Sequence, residues 1–123
     1  MRPEDRDSGF LWDMLEAIRA IQSFLEDRGA VDLAEDTLLR SAVHWQVIVL
    51  GEAARRVSRE LRESTPVVDW PLLFIQRNFY AHEYDRATPG ELHVVLSQLP
   101  GLAVALDELL ARRPPPIEPP NLR

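Results

Sequence analysis

Apolar residues recur at every third or fourth position along most of this chain, and that spacing restricts it to packed helices. Phe10, Leu11, Met14, Leu15, Ile18, Ile21 and Leu25 form one such stripe, and Leu39, Val43, Val47, Leu50, Ala54, Val57 and Leu61 form a second. Residues so spaced share one face of an α-helix, and that face must be buried against a neighbour. Strict alternation of apolar and polar residues, the mark of a half-buried strand, occurs nowhere. The expected fold is an all-α, antiparallel bundle of four to five helices.

Local signals set the boundaries. The first helix is expected to run to Arg28, where Gly29 stops it. A long second helix should start near Asp36 and continue to Pro66, a reach of roughly 40 Å at about 1.5 Å per residue. Gly51 inside it marks a close helix contact, since glycine otherwise weakens a helix interior. Asp69 can cap a third helix, with Pro71 tolerated in its first turn. Thr88-Pro89-Gly90-Glu91 has the form of a capping box opening a fourth, which should end near Arg112 and be kinked or interrupted at Pro100-Gly101. Residues 1–113 thus read as one helical domain. From Pro114 onward five of ten residues are proline, so 114–123 is expected to be an extended tail.

Composition removes several function classes. At 123 residues the chain can bury one core. It has no cysteine, which excludes disulfides, thiolate catalysis and sulfur-based zinc sites. Met1 to Gly9 is polar and unlike a signal peptide, and no unbroken apolar run is long enough to span a bilayer, so a cytoplasmic protein is expected. A net charge of −6 argues against a surface that coats nucleic acid, yet it leaves room for a local anion site. All 14 basic residues are Arg, so any phosphate contact can be bidentate.

The chemistry concentrates in Arg77-Asn78-Phe79-Tyr80-Ala81-His82-Glu83-Tyr84. Arginine neutralises charge developing on a phosphoryl group, and histidine moves protons near neutral pH. Asn78, His82 and Asp85 would share one helical stripe, and Arg77, Ala81 and Tyr84 the adjoining one. Arg77 and His82, five apart, diverge by about 140° on a regular helix. They converge if the helix unwinds before His82, or if a second chain completes the site. Phe79 and Tyr80 suit the core better than substrate stacking, and His44 and Trp45, beside Val43 and Val47, suit packing. His93 belongs to no metal motif. Arg55, Arg59 and Arg62 share a face, but Glu52–Arg56, Arg56–Glu60 and Arg59–Glu63 are i,i+4 pairs, favouring a solvated, charge-paired surface.

Arg77-Asn78 followed by His82-x-Tyr84 resembles the R-N-x-x-x-H-x-Y signature of the HepT-like toxins, a branch of the HEPN superfamily of small helical ribonucleases. Further resemblance runs through Asp13 to Ile18, Leu50-Gly51-Glu52-Ala53, Pro66 to Trp70 and Leu99-Pro100, covering about residues 10–111. The chain departs from that pattern at His44-Trp45, at Ile48 and at Leu92-His93. The resemblance implies an all-helical homodimer, the toxin of a toxin–antitoxin pair, whose partner is a minimal nucleotidyltransferase antitoxin. It implies that Arg77 and His82 cleave RNA without metal or cofactor, that Asn78 supports them, and that Tyr84 accepts AMP from the antitoxin. A non-catalytic helical partner of a nucleotidyltransferase is the runner-up, and a site that handles a nucleotide or other phosphate in place of RNA is a third reading.

Overall fold

The computed structural model describes residues 3–113, apart from the side chains of residues 3–5, Tyr84 and Pro89; the expected tail, 114–123, lies outside the described residues. Among these, seven α-helices form: α1 (Pro3–Phe24), α2 (Ala30–Glu35), α3 (Thr37–Arg56), α4 (Arg59–Ser64), α5 (Trp70–His82), α6 (Pro89–Ser97) and α7 (Leu99–Ala111), with a single 3₁₀ turn at Tyr84–Arg86. No strand occurs among the described residues. The fold is the expected all-α bundle. Its main arms are α1, α3 with α4, α5, and α6 with α7, and α2 is a short addition.

Side-chain contacts give the direction of each packed pair. Asp7 and Ser58 join the start of α1 to the end of α3. Arg113 reaches Ser8, and Arg19 pairs with Asp107, so α1 and α7 also run antiparallel. His44 stacks on Tyr80 at one end of the α3–α5 pair, while Gly51 meets Leu73 and Arg77 further along, making these two antiparallel as well. Both expected apolar stripes enter one core. Leu11, Met14, Ile18 and Ile21 meet Val43, Val47, Leu50 and Val57, all fully or almost fully buried.

Several boundaries differ from expectation for identifiable reasons. The first helix stops at Phe24, and Gly29 opens α2 instead of merely ending α1, its N–H donating to the Asp32 carboxylate. The long helix from Asp36 to Pro66 breaks at Val57-Ser58. There the buried Asp7 carboxylate accepts from the Ser58 N–H (2.7 Å) and from Ser58 Oγ (2.6 Å), while Ser58 Oγ accepts from Leu61 N–H to cap α4. The fourth helix breaks at Gln98, earlier than Pro100-Gly101. Proline at 100 has no N–H to give residue 96, so the ladder fails in the turn before it. The caps at Asp69 and Thr88 form as expected, and Asp36, near which the long helix was expected to start, caps it; each accepts from the N–H three residues on. Taken together across the break at Gln98, Gly90–Ala111 is long and apolar enough to cross a bilayer. In the fold, its Leu92, Val95, Leu99 and Leu106 are core residues.

Candidate active site

Helix α5 presents two distinct faces. Trp70, Leu73 and Tyr80 are buried, and Trp70 Nε1 donates to the Thr65 carbonyl at 3.2 Å. Ile75, Asn78 and His82, at i, i+3 and i+7, are exposed together on the opposite side. Arg77 lies at the margin, its side chain only 24% exposed. The helix stays regular through His82; Glu83 is the C-cap, and its N–H returns to the Phe79 carbonyl. Unwinding before His82 therefore does not occur. Arg77 and His82 keep their angular divergence within one chain, while Arg77 and Asn78 are brought together. Tyr84 sits in the 3₁₀ turn, with its side chain outside the described residues.

Arg77 is held on three sides. Its stem lies against Gly51, where a built Cβ would fall 2.3 Å from Arg77 Cβ, 2.8 Å from the Leu73 carbonyl oxygen and 3.0 Å from Arg77 Cγ. Only glycine admits so close an approach. Its Nη1 donates to Asn78 Oδ1 at 3.0 Å. Its Nε is buried and faces the equally buried Oε2 of Glu52 at 3.4 Å, an ion pair without hydrogen-bond geometry. The other oxygen of Glu52 meets Arg55 Nη2 at 3.2 Å and Arg56 Nε at 3.5 Å. Desolvation works against charge on Glu52. The hydrogen bond and charge of Arg55, followed by the charges of Arg77 and Arg56, outweigh it and hold the carboxyl below its ordinary value. Glu52 was not among the candidates read from sequence. The sequence showed it only within the Leu50–Ala53 block of resemblance and as an i,i+4 partner of Arg56, because pairing with a residue 25 positions away has no local signature.

Beside Arg77 a groove of ≈ 720 Å³ runs between α1 and α3, with Phe10, Asp13, Glu16, Trp45, Ile48 and Arg56 among its walls. Trp45 is 61% exposed, which corrects the expectation that it packs inside. His44 is half-buried against Tyr80, ring centroids 4.7 Å apart, as a packing residue should be. Burial, then the charge of Arg40, pushes the His44 pKa down. Tyr80 is buried as expected, and burial, then the charge of Glu91, raises its hydroxyl to about 12. His93 is exposed on α6. The charge-paired reading holds for Arg59, which bonds Glu63 at 3.0 Å, and Arg62 lies over the Phe74 ring. Arg56 turns back to Glu52 and forms no ion pair with Glu60. Among the described residues, no group of three or more His, Asp or Glu side chains is placed to hold a metal ion.

The comparisons with known proteins bear on the family of the chain. The family model described as "Ribonuclease HepT-like" matches residues 14–109, which include α5 and the helix α3 packed against it. A Methanocaldococcus jannaschii protein named "Putative RNase" is 31% identical over 75 residues, 61% of this chain and 69% of that protein. No solved structure matches. With the match spanning most of the helical domain, the chain belongs to the HepT-like ribonuclease family of the HEPN type.

Proposed function

We propose that this ribonuclease is the toxin of a toxin–antitoxin pair, an endoribonuclease that cuts RNA without metal at a cleft between two copies of the chain. The observation that carries this reading is the mounting of Arg77: half-buried, backed by Gly51 and Glu52, and tied to Asn78, with His82 exposed on the same helix. A guanidinium has five N–H donors. Two here face Glu52 and Asn78, so three are free for phosphate oxygens.

The reaction uses the substrate's own 2′-hydroxyl as nucleophile. One group removes its proton as the oxygen attacks phosphorus, and another protonates the departing 5′-oxygen, leaving a 2′,3′-cyclic phosphate. Each chain supplies one suitable histidine, His82. A two-fold pair brings two copies of His82 and Arg77 to one cleft and removes the difficulty of their divergence on a single helix. Arg77 stabilises the added charge of the phosphorane-like transition state, and Asn78 steadies Arg77. The antitoxin, a minimal nucleotidyltransferase, silences the site by transferring AMP to Tyr84. That adds an anionic group two residues from His82 and blocks the phosphate site.

The test is cleavage of labelled RNA in EDTA by the wild type, Arg77→Ala and His82→Ala. Cutting by the wild type alone, with cyclic phosphate ends, is the expected result. Equal cutting by all three, or none by any, overturns the proposal, and the latter favours the non-catalytic partner role. For the antitoxin step, Tyr84→Phe should escape neutralisation; full neutralisation of that variant removes Tyr84 as the acceptor.

A further inference from the structure

We infer that Glu52 is a positioning residue, which aims the Arg77 guanidinium at the scissile phosphate. The inference rests on the reading of Arg77 as the phosphate-binding cation. It adds a residue from another helix, 25 positions away in the chain.

The geometry separates this role from ordinary surface ion pairing. Exposed pairs in this protein, such as Arg59–Glu63 and Arg86–Glu83, hold side chains that solvent surrounds on most sides. At Glu52 the two carboxylate oxygens have different tasks. Oε1 is held by Arg55 and Arg56 from its own helix, which fixes the rotation of the carboxylate. Oε2 is thereby left facing Arg77 Nε, and both of these atoms are buried with no hydrogen-bond partner among the described residues. A planar guanidinium gripped at Nε can no longer spin about its own bond. Gly51, the preceding residue, lets the Arg77 stem approach closely enough for the grip to form. The remaining Nη donors are then committed to one direction, set by Glu52 on one edge and Asn78 on the other. An ion pair of long reach, without hydrogen-bond geometry at Nε, leaves the Nη donors of Arg77 uncommitted to Glu52. It is well suited to aim a group whose hydrogen bonds are reserved for substrate.

Glu52→Gln keeps the shape and removes the charge. In the cleavage assay kcat should fall roughly 10- to 100-fold, the scale expected when a reacting group is displaced by about an ångström, with KM changed less than about twofold because Arg77 retains its charge. In an Arg77→Lys background, which keeps a cation but has no guanidinium Nε–H to hold, the same substitution should cause little further loss. Equal losses in both backgrounds, or no loss in either, overturn the inference. Arginine side-chain NMR supplies a readout that needs no activity: the Arg77 Nε–H should exchange slowly in the wild type and quickly in Glu52→Gln, and equal exchange overturns the inference. If Glu52→Gln fails to fold, Glu52→Asp takes its place; with the charge kept and the reach shortened, it should show a smaller drop in kcat and partial loss of protection, and wild-type values for both overturn the inference. Full activity of Arg77→Ala alone refutes the catalytic reading, and the NMR result then still decides whether Glu52 holds the guanidinium.

Discussion

Replacing Gly51 with alanine sets two effects of opposite sign against each other. In an isolated helix the change is worth about 1 kcal/mol in favour of alanine. Here the new methyl would lie 2.3 Å from Arg77 Cβ and 2.8 Å from the Leu73 carbonyl oxygen. Carbon atoms rest at about 3.5–4.0 Å, so α3 and α5 must separate by roughly an ångström. Neither contact can yield by rotating a side chain, because one atom is backbone and the other is fixed to it. Overpacking that moves backbone costs about 1–3 kcal/mol or more, and separation also weakens the burial of Leu50 and Leu73. A net loss of about 1–3 kcal/mol is expected, a fall in melting temperature of roughly 3–12 °C. Urea denaturation measures it directly as a lower midpoint at unchanged slope. Gly101→Ala is the control. It lies in α7 with nothing within 4 Å of its built Cβ, and should gain up to about 1 kcal/mol. If Gly51→Ala is as stable as the wild type, the close crossing of α3 and α5 is wrong, and with it the seat of Arg77.

Other substitutions test separate parts of the fold. Tyr80 has a buried hydroxyl with no partner among the described residues, so Tyr80→Phe should be neutral or stabilising by up to about 1 kcal/mol in urea titrations. The same hydroxyl, raised to about 12, favours the neutral form in the fold. Wild-type stability should therefore lose about 1–3 kcal/mol as pH rises from about 10 towards 12, a loss missing from the phenylalanine variant. Asp7→Ala strands the Ser58 N–H and removes the ion pair to Arg113, and should cost about 2–4 kcal/mol by the same titration. Asp69→Ala removes the α5 cap and should cost about 0.5–2 kcal/mol, read as a lower melting temperature.

What could be read from sequence was what depends on neighbours in the chain. Asp36, Asp69 and Thr88 announce helix starts because each needs only the N–H three residues ahead. Gly51 was legible as a close contact because a glycine inside a strong helical stripe calls for a packing reason. The break at Ser58 was not, because the carboxylate that stabilises it comes from Asp7, 51 residues earlier. The exposure of Trp45 was not hidden. It adjoins core residues in sequence, but on a regular helix it lies about 200° from Val43 and Val47, so the stripe itself placed it on the outer face, at the rim of the groove. At the site, Arg77, Asn78 and His82 were visible as a cluster of chemically apt residues. Glu52 was not, since its meaning depends on α3 lying across α5.

Because α3 and α5 approach closely enough at Gly51 to exclude a side chain, that crossing would act as a fulcrum. Arg77 stands on it and hardly moves when α5 rocks. His82, five residues further, sits about 7.5 Å out along the axis, at the free end of the lever. A tilt of about 10° would carry it more than 1 Å sideways while Arg77 stays in place, enough to cost on the order of 100-fold in rate. If Arg77 and His82 act as proposed, a contact that presses on the exposed end of α5 would quench proton transfer without disturbing the phosphate grip, leaving a protein that still holds its substrate but no longer cuts it.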